Sequence, residues 1–198
     1  MNIACVIGNG TSRLKFDLDA IQKVMTTYGC NALYRDFIPD YLVSMDRFMV
    51  EEILKNKAHH KTKLYTQHIN KFDDMANNGE PINFFWGMSE THDSGNTALR
   101  LACKNKHDMI YMIGFDYNNG PTDMPNVYAN TENYPKGYVY PAASIAVVKW
   151  HQRLITTLKE FDDTKIIRVN GNNYSNNISH KNYSEITTEE FKEIYNGI

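Results

Sequence analysis

The sequence lacks the features of a membrane or secreted protein. No apolar run approaches the length of a membrane-spanning helix, and the mean hydropathy is −0.52. The apolar run Ile3–Ile7 is too short for the core of a signal peptide, and neither a basic segment nor a cleavage site accompanies it. The three cysteines, Cys5, Cys30 and Cys103, form no CxxC pair. We therefore expect a cytoplasmic protein with reduced cysteines and no membrane span.

A strong charge of one sign and the common catalytic signatures are also missing. The net charge is −2, so there is no electrostatic reason to expect a nucleic-acid partner. The sequence contains no Walker A lysine motif and no GxSxG. His59, His60 and His68 have no cysteine or carboxylate at a spacing typical of a metal site. We expect no metal there and place these histidines on an exposed helix face.

The sequence does contain a short apolar strand that runs into a polar turn with two glycines. The turn consists of Gly8, Asn9, Gly10, Thr11 and Ser12. Glycines let the backbone approach a ligand closely. The amides of the turn and of a following helix favour an anion such as a phosphate. The pattern predicts a nucleotide-binding turn, although a simple connecting turn has the same composition.

Strand-like and helical segments alternate along the chain. The predicted strands are 2–7, 30–34, 41–44, 63–66, 82–86, 109–114 and 165–169, and the predicted helices are 17–28, 46–56, 94–105, 141–161 and 187–195. This alternation predicts one α/β domain over 1–198, with a Rossmann-like, mainly parallel sheet and helices on both faces. The stretch 117–140 is rich in Asn, Pro, Gly and Tyr, and its length predicts a lid or binding loop. The Asn- and Ser-rich stretch 170–182 is expected to be exposed.

Polar residues follow several predicted strands, where ligands of such sheets bind. Besides the glycine turn, they include Asn31, Ser94, Gly95, Asp116 and Tyr117. Ser94 and Gly95 would begin a helix and offer a second anion site. His92 would stand just before that helix, whose dipole favours a neutral imidazole that can act as a base. Each residue also has a plain structural interpretation, as a turn, a helix N-cap, a paired carboxylate or a surface loop.

Taken in order, the segments 8–12, 30–34, 94–95 and 110–117 resemble the bacterial lipooligosaccharide sialyltransferases. They also resemble the related motility accessory factors and 6-hydroxymethylpterin diphosphokinase-like proteins. The resemblance covers about residues 1–120, and its specificity comes from the order and spacing of short motifs. It implies a Rossmann-like fold that binds a nucleotide-activated sugar, a CMP-sugar above all, and a glycan acceptor. Short relatives of this family occur in viruses, and a phage-borne version fits the chain length.

The resemblance also implies roles for residues near the donor. Asn9 and Gly10 would line the donor phosphate and sugar, and Asn31, Ser94 and Gly95 would lie beside the nucleotide. Asp116 and Tyr117 would lie at the mouth of the crevice.

In the sialyltransferases, lid tyrosines bind the phosphate and a lid histidine is the general base. The candidates for the phosphate here are Tyr128, Tyr134, Tyr138 and Tyr140, and Lys136 could neutralise its charge. The stretch 117–150 contains no histidine, so the base would have to be Asp116, Asp123 or His92.

Glycosyl transfer is the function that this pattern favours, and three alternatives remain open. The chain could bind a nucleotide without chemistry, or it could be a structural or viral assembly protein that keeps only the fold. It could also be a diphosphokinase, which would need ATP and Mg²⁺. A homo-oligomer is compatible with each of these functions.

Overall fold

The computed structural model describes residues 1–85, 93–117, 126–134, 145–171 and 174–198, the side chains of 145–147 excepted. Within these ranges eight strands form one sheet, and every neighbouring pair is parallel. The strands are β1 (Ile3–Ile7), β2 (Thr26–Cys30), β3 (Tyr41–Val43), β4 (Lys63–Thr66), β5 (Ile82–Phe84), β6 (Met109–Ile113), β7 (Lys165–Val169) and β8 (Tyr183–Ile186). The helices in the same ranges are α1 (Leu18–Val24), α2 (Arg47–Lys55), α3 (Asn70–Asn77), α4 (Ser94–Lys104), α5 (Ile145–Glu160) and α6 (Thr188–Gly197).

The sheet reverses its direction of winding between β1 and β6. The strand order is β5-β4-β3-β2-β1-β6-β7-β8, so the four strands β2–β5 lie on one side of β1 and the three strands β6–β8 lie on the other. Ile3 of β1 pairs with Met109 of β6, and Ile7 pairs with Ile113. In open parallel sheets, ligands bind in the crevice beyond the carboxyl ends of the strands at such a reversal. The fold therefore places the glycine turn after β1 at the expected binding position.

Alternate residues of β1 point into two different cores, as the period of two in a strand requires. Ala4 and Val6 pack in the core that contains Leu99 of α4 and Leu154 of α5. Cys5 and Ile7 pack on the opposite face, in the core that contains Ile21 of α1 and Phe191 of α6. A third core joins β3 and β4 to α2 and α3 through Leu42, Leu64, Ile53 and Phe72. The prediction of a Rossmann-like sheet with helices on both faces is confirmed.

Side-chain caps define the start of several helices. Asp17, Asp46 and Asp93 accept backbone N–H groups at the first turns of α1, α2 and α4. Thr187 and Glu190 form a capping box at the start of α6, which was predicted as a helix over 187–195. Replacing such a cap by alanine typically costs about 1 kcal/mol of stability. None of the helices among the described residues is both long and apolar enough to cross a membrane.

Two predicted elements near residue 30 are wrong. Helix α1 ends at Val24 rather than at residue 28, and β2 spans Thr26–Cys30. Residues Asn31–Arg35, predicted as a strand, form a 3-10 turn. The β-branched Thr26 and Thr27 favour a strand, and hydrogen bonding to β1 and β3 on both sides overrides the helical spacing that precedes them. The patterns also do not predict α3 or β8.

Candidate functional site

The turn after β1 packs directly against the turn after β6. The N–H of Gly8 donates to the Ile113 carbonyl (2.8 Å), and the N–H of Gly10 donates to the Gly114 carbonyl (2.9 Å). A Cβ at Gly8 would lie 2.5 Å from the Gly114 carbonyl oxygen, and Gly114 itself has a φ of +69°. The glycines are therefore required by this close backbone approach.

Asp116 joins the same two turns through its side chain. Its carboxylate accepts the backbone N–H of Ser12 at 3.0 Å and also the Ser12 hydroxyl. Both residues are buried, and Thr11 and Ser12 begin the 3-10 turn Thr11–Lys15. Asp116 thus lies at the predicted edge, where it holds the shape of the turn. Its predicted catalytic role stays a prediction.

Two asparagines link the ends of β1, β2 and β3. Asn9 donates from Nδ2 to the Cys30 carbonyl (3.1 Å), while its Oδ1 is buried without a hydrogen-bond partner among the described residues. Asn31 has a φ of +51°, which asparagine tolerates better than most residues, and its Oδ1 accepts the Ser44 hydroxyl (3.1 Å). A buried amide oxygen without a donor has an unmet hydrogen bond that a ligand can supply. Asn9 is therefore the clearest ligand-directed group in the site.

The start of α4 lies against the ends of β3 and β6. Ser94 accepts the backbone N–H of Met45 at its hydroxyl (3.0 Å), and a Cβ on Gly95 would lie 3.1 Å from the Phe115 ring. Asp93, not Ser94, is the N-cap, and Arg153 of α5 donates to its carboxylate (2.8 Å). The structural interpretation of Ser94 as an N-cap is wrong, because Asp93 is the N-cap and the Ser94 hydroxyl instead accepts the N–H of Met45, two residues after β3.

Tyr117 follows β6 with a φ of +24° and is buried. Its ring lies 4.6 Å from that of His151 and 5.6 Å from the Arg168 guanidinium carbon, measured to ring centroids. Burial holds the pKa of Tyr117 well above its ordinary value of 10. His151 was not predicted as a site residue, because it lies one position beyond the stretch 117–150. It lies in the first half of α5, the first helix after β6 among the described residues.

Part of the expected lid, 126–134, is docked on the protein. The N–H of Val127 donates to the Asn9 carbonyl (2.9 Å). Tyr128 is buried, accepts from Arg13 at its hydroxyl (2.7 Å) and donates to the Asp36 carboxylate. The buried Tyr134 ring lies 6.2 Å from the ring of Tyr128. The predicted phosphate contacts of Tyr128 and Tyr134 stay predictions.

Arg35 and Glu52 anchor the same segment. Arg35 donates to both oxygens of Glu52 (2.8 and 2.7 Å) and to Thr131 and Glu132 of the segment. Burial alone would raise the pKa of Glu52, but hydrogen bonds from Arg35 and Tyr34 lower it. Glu52 therefore stays ionised beneath the segment.

Several predicted site residues lie outside the described residues. They are His92, Asp123, Lys136, Tyr138 and Tyr140.

The structure corrects the prediction that His59 and His60 lie on an exposed helix face. His59 is buried in the 3-10 turn Ala58–His60 rather than on an exposed helix face, and Glu80 lies beside it. The prediction of an exposed helix face is wrong for His59, because residues Ala58–His60 form a 3-10 turn that buries its ring, whereas His60 and His68 are exposed.

Comparisons with known proteins show that the chain shares its fold with solved structures. No protein-family model matches the chain, and no curated protein matches it. It is similar to a crystal structure of a variant of the sialyltransferase Cst-II in complex with CMP, with 12% identity, a TM-score of 0.57 and 99% of each chain covered.

Two further sialyltransferase structures have the same architecture. The monofunctional α-2,3-sialyltransferase Cst-I of Campylobacter jejuni matches with 12% identity and a TM-score of 0.56, covering 100% of this chain and 94% of its own. CstII of Campylobacter jejuni, in complex with the substrate analogue CMP-3FNeuAc, matches with 12% identity and a TM-score of 0.52, covering 94% of this chain and 89% of its own. At this identity the likeness concerns the fold.

Proposed function

We propose that this protein is a glycosyltransferase that binds a CMP-activated sugar beyond the carboxyl ends of β1 and β2 and transfers the sugar to a glycan. The observation that carries the proposal is the buried amide oxygen of Asn9 at the strand reversal, which has no hydrogen-bond partner in the part of the chain that the structure describes. The fold likeness to sialyltransferases crystallised with CMP and with a CMP-sugar analogue supports this donor class.

The chemistry of the site favours particular donor contacts. Asn9 Oδ1 accepts hydrogen bonds, so it suits a hydroxyl or amino group of the donor rather than a phosphate oxygen. The N–H groups at the start of α4, near Gly95, suit the phosphate because the helix dipole is positive there. The absence of side chains at Gly8 and Gly10 lets the turn pack against Gly114 and Asp116, which fixes the backbone beside the donor.

Transfer also needs a group that accepts the acceptor's proton. The new bond forms between the acceptor oxygen and the anomeric carbon of the sugar, the bond from that carbon to the phosphate breaks, and CMP leaves. Because Asp116 is engaged by Ser12, we assign it a positioning role and assign the proton to His151. The Nε2 atom of His151 lies 3.2 Å from Asn176 Oδ1. When Nε2 donates to that oxygen, the lone pair that can accept a proton is on Nδ1.

Donor binding is tested by thermal unfolding with CMP, UMP, GMP and ATP, with and without Mg²⁺. CMP at about 100 times its dissociation constant should stabilise the protein by about 2.7 kcal/mol. Asn9→Ala should lose this stabilisation, whereas Asn196→Ala, an exposed asparagine in α6, should keep it. If no cytidine nucleotide stabilises the wild-type protein, the donor proposal is wrong.

Catalysis is tested with CMP-sialic acid and a panel of glycan acceptors. His151→Gln should keep CMP binding and lower kcat by about 10²–10⁴-fold, the usual contribution of a general base. An unchanged kcat in this variant contradicts the role of His151.

A second candidate function is nucleotide binding or assembly without chemistry. The engagement of Asp116 by Ser12 and the burial of Tyr128 and Tyr134 favour it, since all three groups serve the fold. Stabilisation by CMP without turnover on any acceptor indicates the binding protein. Absence of stabilisation by every nucleotide and sugar indicates the structural protein.

A further inference from the structure

Two consecutive histidines and one glutamate converge near the amino ends of β4 and β5. The glycine turn lies at the opposite edge of the sheet, beyond the carboxyl end of β1. His59 Nε2 lies 2.8 Å from Glu80 Oε2, and His60 Nε2 lies 3.6 Å from the same oxygen. One ligand atom from each of the three residues lies within 4.8 Å of the other two. No other group of three such side chains converges this way within the described ranges.

The local backbone produces this convergence. Neighbouring residues of a helix normally point in different directions. Here Lys57 adopts a left-handed φ of +55° and begins the 3-10 turn Ala58–His60, which brings the two imidazole centroids to 4.1 Å. Glu80 follows Gly79, whose φ is +94°, immediately before the edge strand β5. Two left-handed residues thus bring three metal-ligating side chains to one point.

We propose that His59, His60 and Glu80 bind one divalent transition-metal ion, with Zn²⁺ as the best fit. Zinc–ligand bonds of about 2.0–2.2 Å in a tetrahedron place ligand atoms about 3.3 Å apart. The two distances to Glu80, 2.8 and 3.6 Å, lie on either side of that value. These two distances therefore suit a bound ion, and the ligand atoms of the two imidazoles lie within 4.8 Å of each other.

The types of ligand atom determine which metal ions fit the site. Two imidazole nitrogens favour Zn²⁺, Co²⁺ or Ni²⁺ over Mg²⁺ and Ca²⁺, which prefer oxygen ligands. His59 is 3% exposed while the His60 side chain is 50% exposed, which leaves an open side for a water as fourth ligand.

The position of the site indicates a structural role. The 3-10 turn precedes β4 and Glu80 precedes β5, so both lie at the amino ends of these strands. The glycine turn lies at the carboxyl end of β1, on the opposite edge of the parallel sheet. A bound metal would therefore fasten the edge strand β5 to the α2–β4 connection without taking part in chemistry at the glycine turn.

The experiment titrates untagged, chelator-treated protein with Co²⁺ and follows the visible absorption, then displaces Co²⁺ with Zn²⁺. One Co²⁺ per chain should bind, and Zn²⁺ should raise Tm where Mg²⁺ does not. His60→Gln and Glu80→Gln should each weaken binding by at least about tenfold, since even an outer partner of a metal ligand is worth about 10–100-fold.

The matched control is His68→Gln. His68 also pairs with a carboxylate, Asp73, at 2.8 Å, but it does not belong to a group of three. This variant should bind Co²⁺ like the wild type. The proposal is overturned if the wild type binds Co²⁺ no more tightly than Glu80→Gln, or if His68→Gln weakens binding as much as His60→Gln.

Discussion

Ser12 and Asp116 are 104 residues apart in sequence and are joined by two hydrogen bonds, one to the backbone and one to the hydroxyl of the serine. This pair connects the ends of β1 and β6 where the strand order reverses. Because both residues are buried, the pair gives the candidate site its shape and contributes to the stability of the whole sheet.

Asp116→Ala should lower the free energy of unfolding by about 1–3 kcal/mol, because it leaves a buried N–H and a buried hydroxyl without an acceptor. Ser12→Ala should cost about 1 kcal/mol, since the backbone hydrogen bond remains. Urea unfolding of the two variants and of the double variant measures the coupling between the residues. Additive losses would show that they do not interact.

Gly10→Ala should destabilise the protein by about 1–3 kcal/mol through overpacking. The φ of Gly10 is −65°, which any residue adopts, so backbone freedom is not the reason. A Cβ there would lie 2.5 Å from the Asp116 carboxylate and 2.6 Å from the Gly114 carbonyl. Gly197→Ala is the control, because a Cβ at Gly197 meets no atom within 4 Å. Equal Tm values for the two variants would contradict this packing argument.

Stability should fall as the pH drops below about 6.5, because burial lowers the pKa of His107 from its ordinary value of 6.5. The unfolded chain then binds a proton more readily than the folded protein. The neutral ring accepts the Tyr28 hydroxyl at Nε2 (2.8 Å) and donates from Nδ1 to Asn2 Oδ1 (2.8 Å). Asn105 completes the chain by donating to Tyr28 (2.7 Å).

Urea midpoints at about pH 7.5, 6.5 and 5.5 measure this effect. His107→Gln removes the titrating group, so its stability should depend less on pH over this range than that of the wild type. Equal pH dependence would assign the effect to other groups.

Arg35→Ala should release the segment 126–134 and cost about 1.5–3 kcal/mol, because hydrogen bonds to charged groups are worth more than neutral ones. Arg47→Ala removes an exposed pair with Glu51 and should cost at most about 0.5 kcal/mol. Hydrogen exchange at the Val127 N–H reports the release directly. Exchange that is unchanged in Arg35→Ala would show that other contacts hold the segment.

Local patterns predicted those elements whose signals are local. Helix α2 starts at Asp46 and α6 at a capping box, and both signals lie within a few residues of the sequence. Strand β8 could not be predicted in this way, because Ser184 and Glu185 interrupt the apolar pattern. It forms because it pairs with β7, a contact that only the folded chain provides.

In the candidate site, too, local features were predicted and contacts between distant residues were not. The sequence predicted that Gly8 and Asp116 follow strands whose ends meet at one edge, since strand ends are local features. The predicted strand 30–34 was wrong, and Asn31 instead follows the end of β2. It did not predict that Ser12 engages Asp116 or that Arg13 and Asp36 engage Tyr128, because these partners are distant in sequence. The contact between Glu80 and His59 was not predicted for the same reason.

The pairing of β1 with β6 also determines when β1 can complete its strand pairing during synthesis of the chain. Ile3 pairs with Met109, so a ribosome adding about 5–20 residues per second needs about 5–20 s to make the second neighbour of β1. During that interval one edge of a central, apolar strand has no partner, which is a condition that favours aggregation. Non-local parallel pairing of this kind also slows folding. The turn after β1 therefore cannot reach its native shape until Asp116 has left the ribosome.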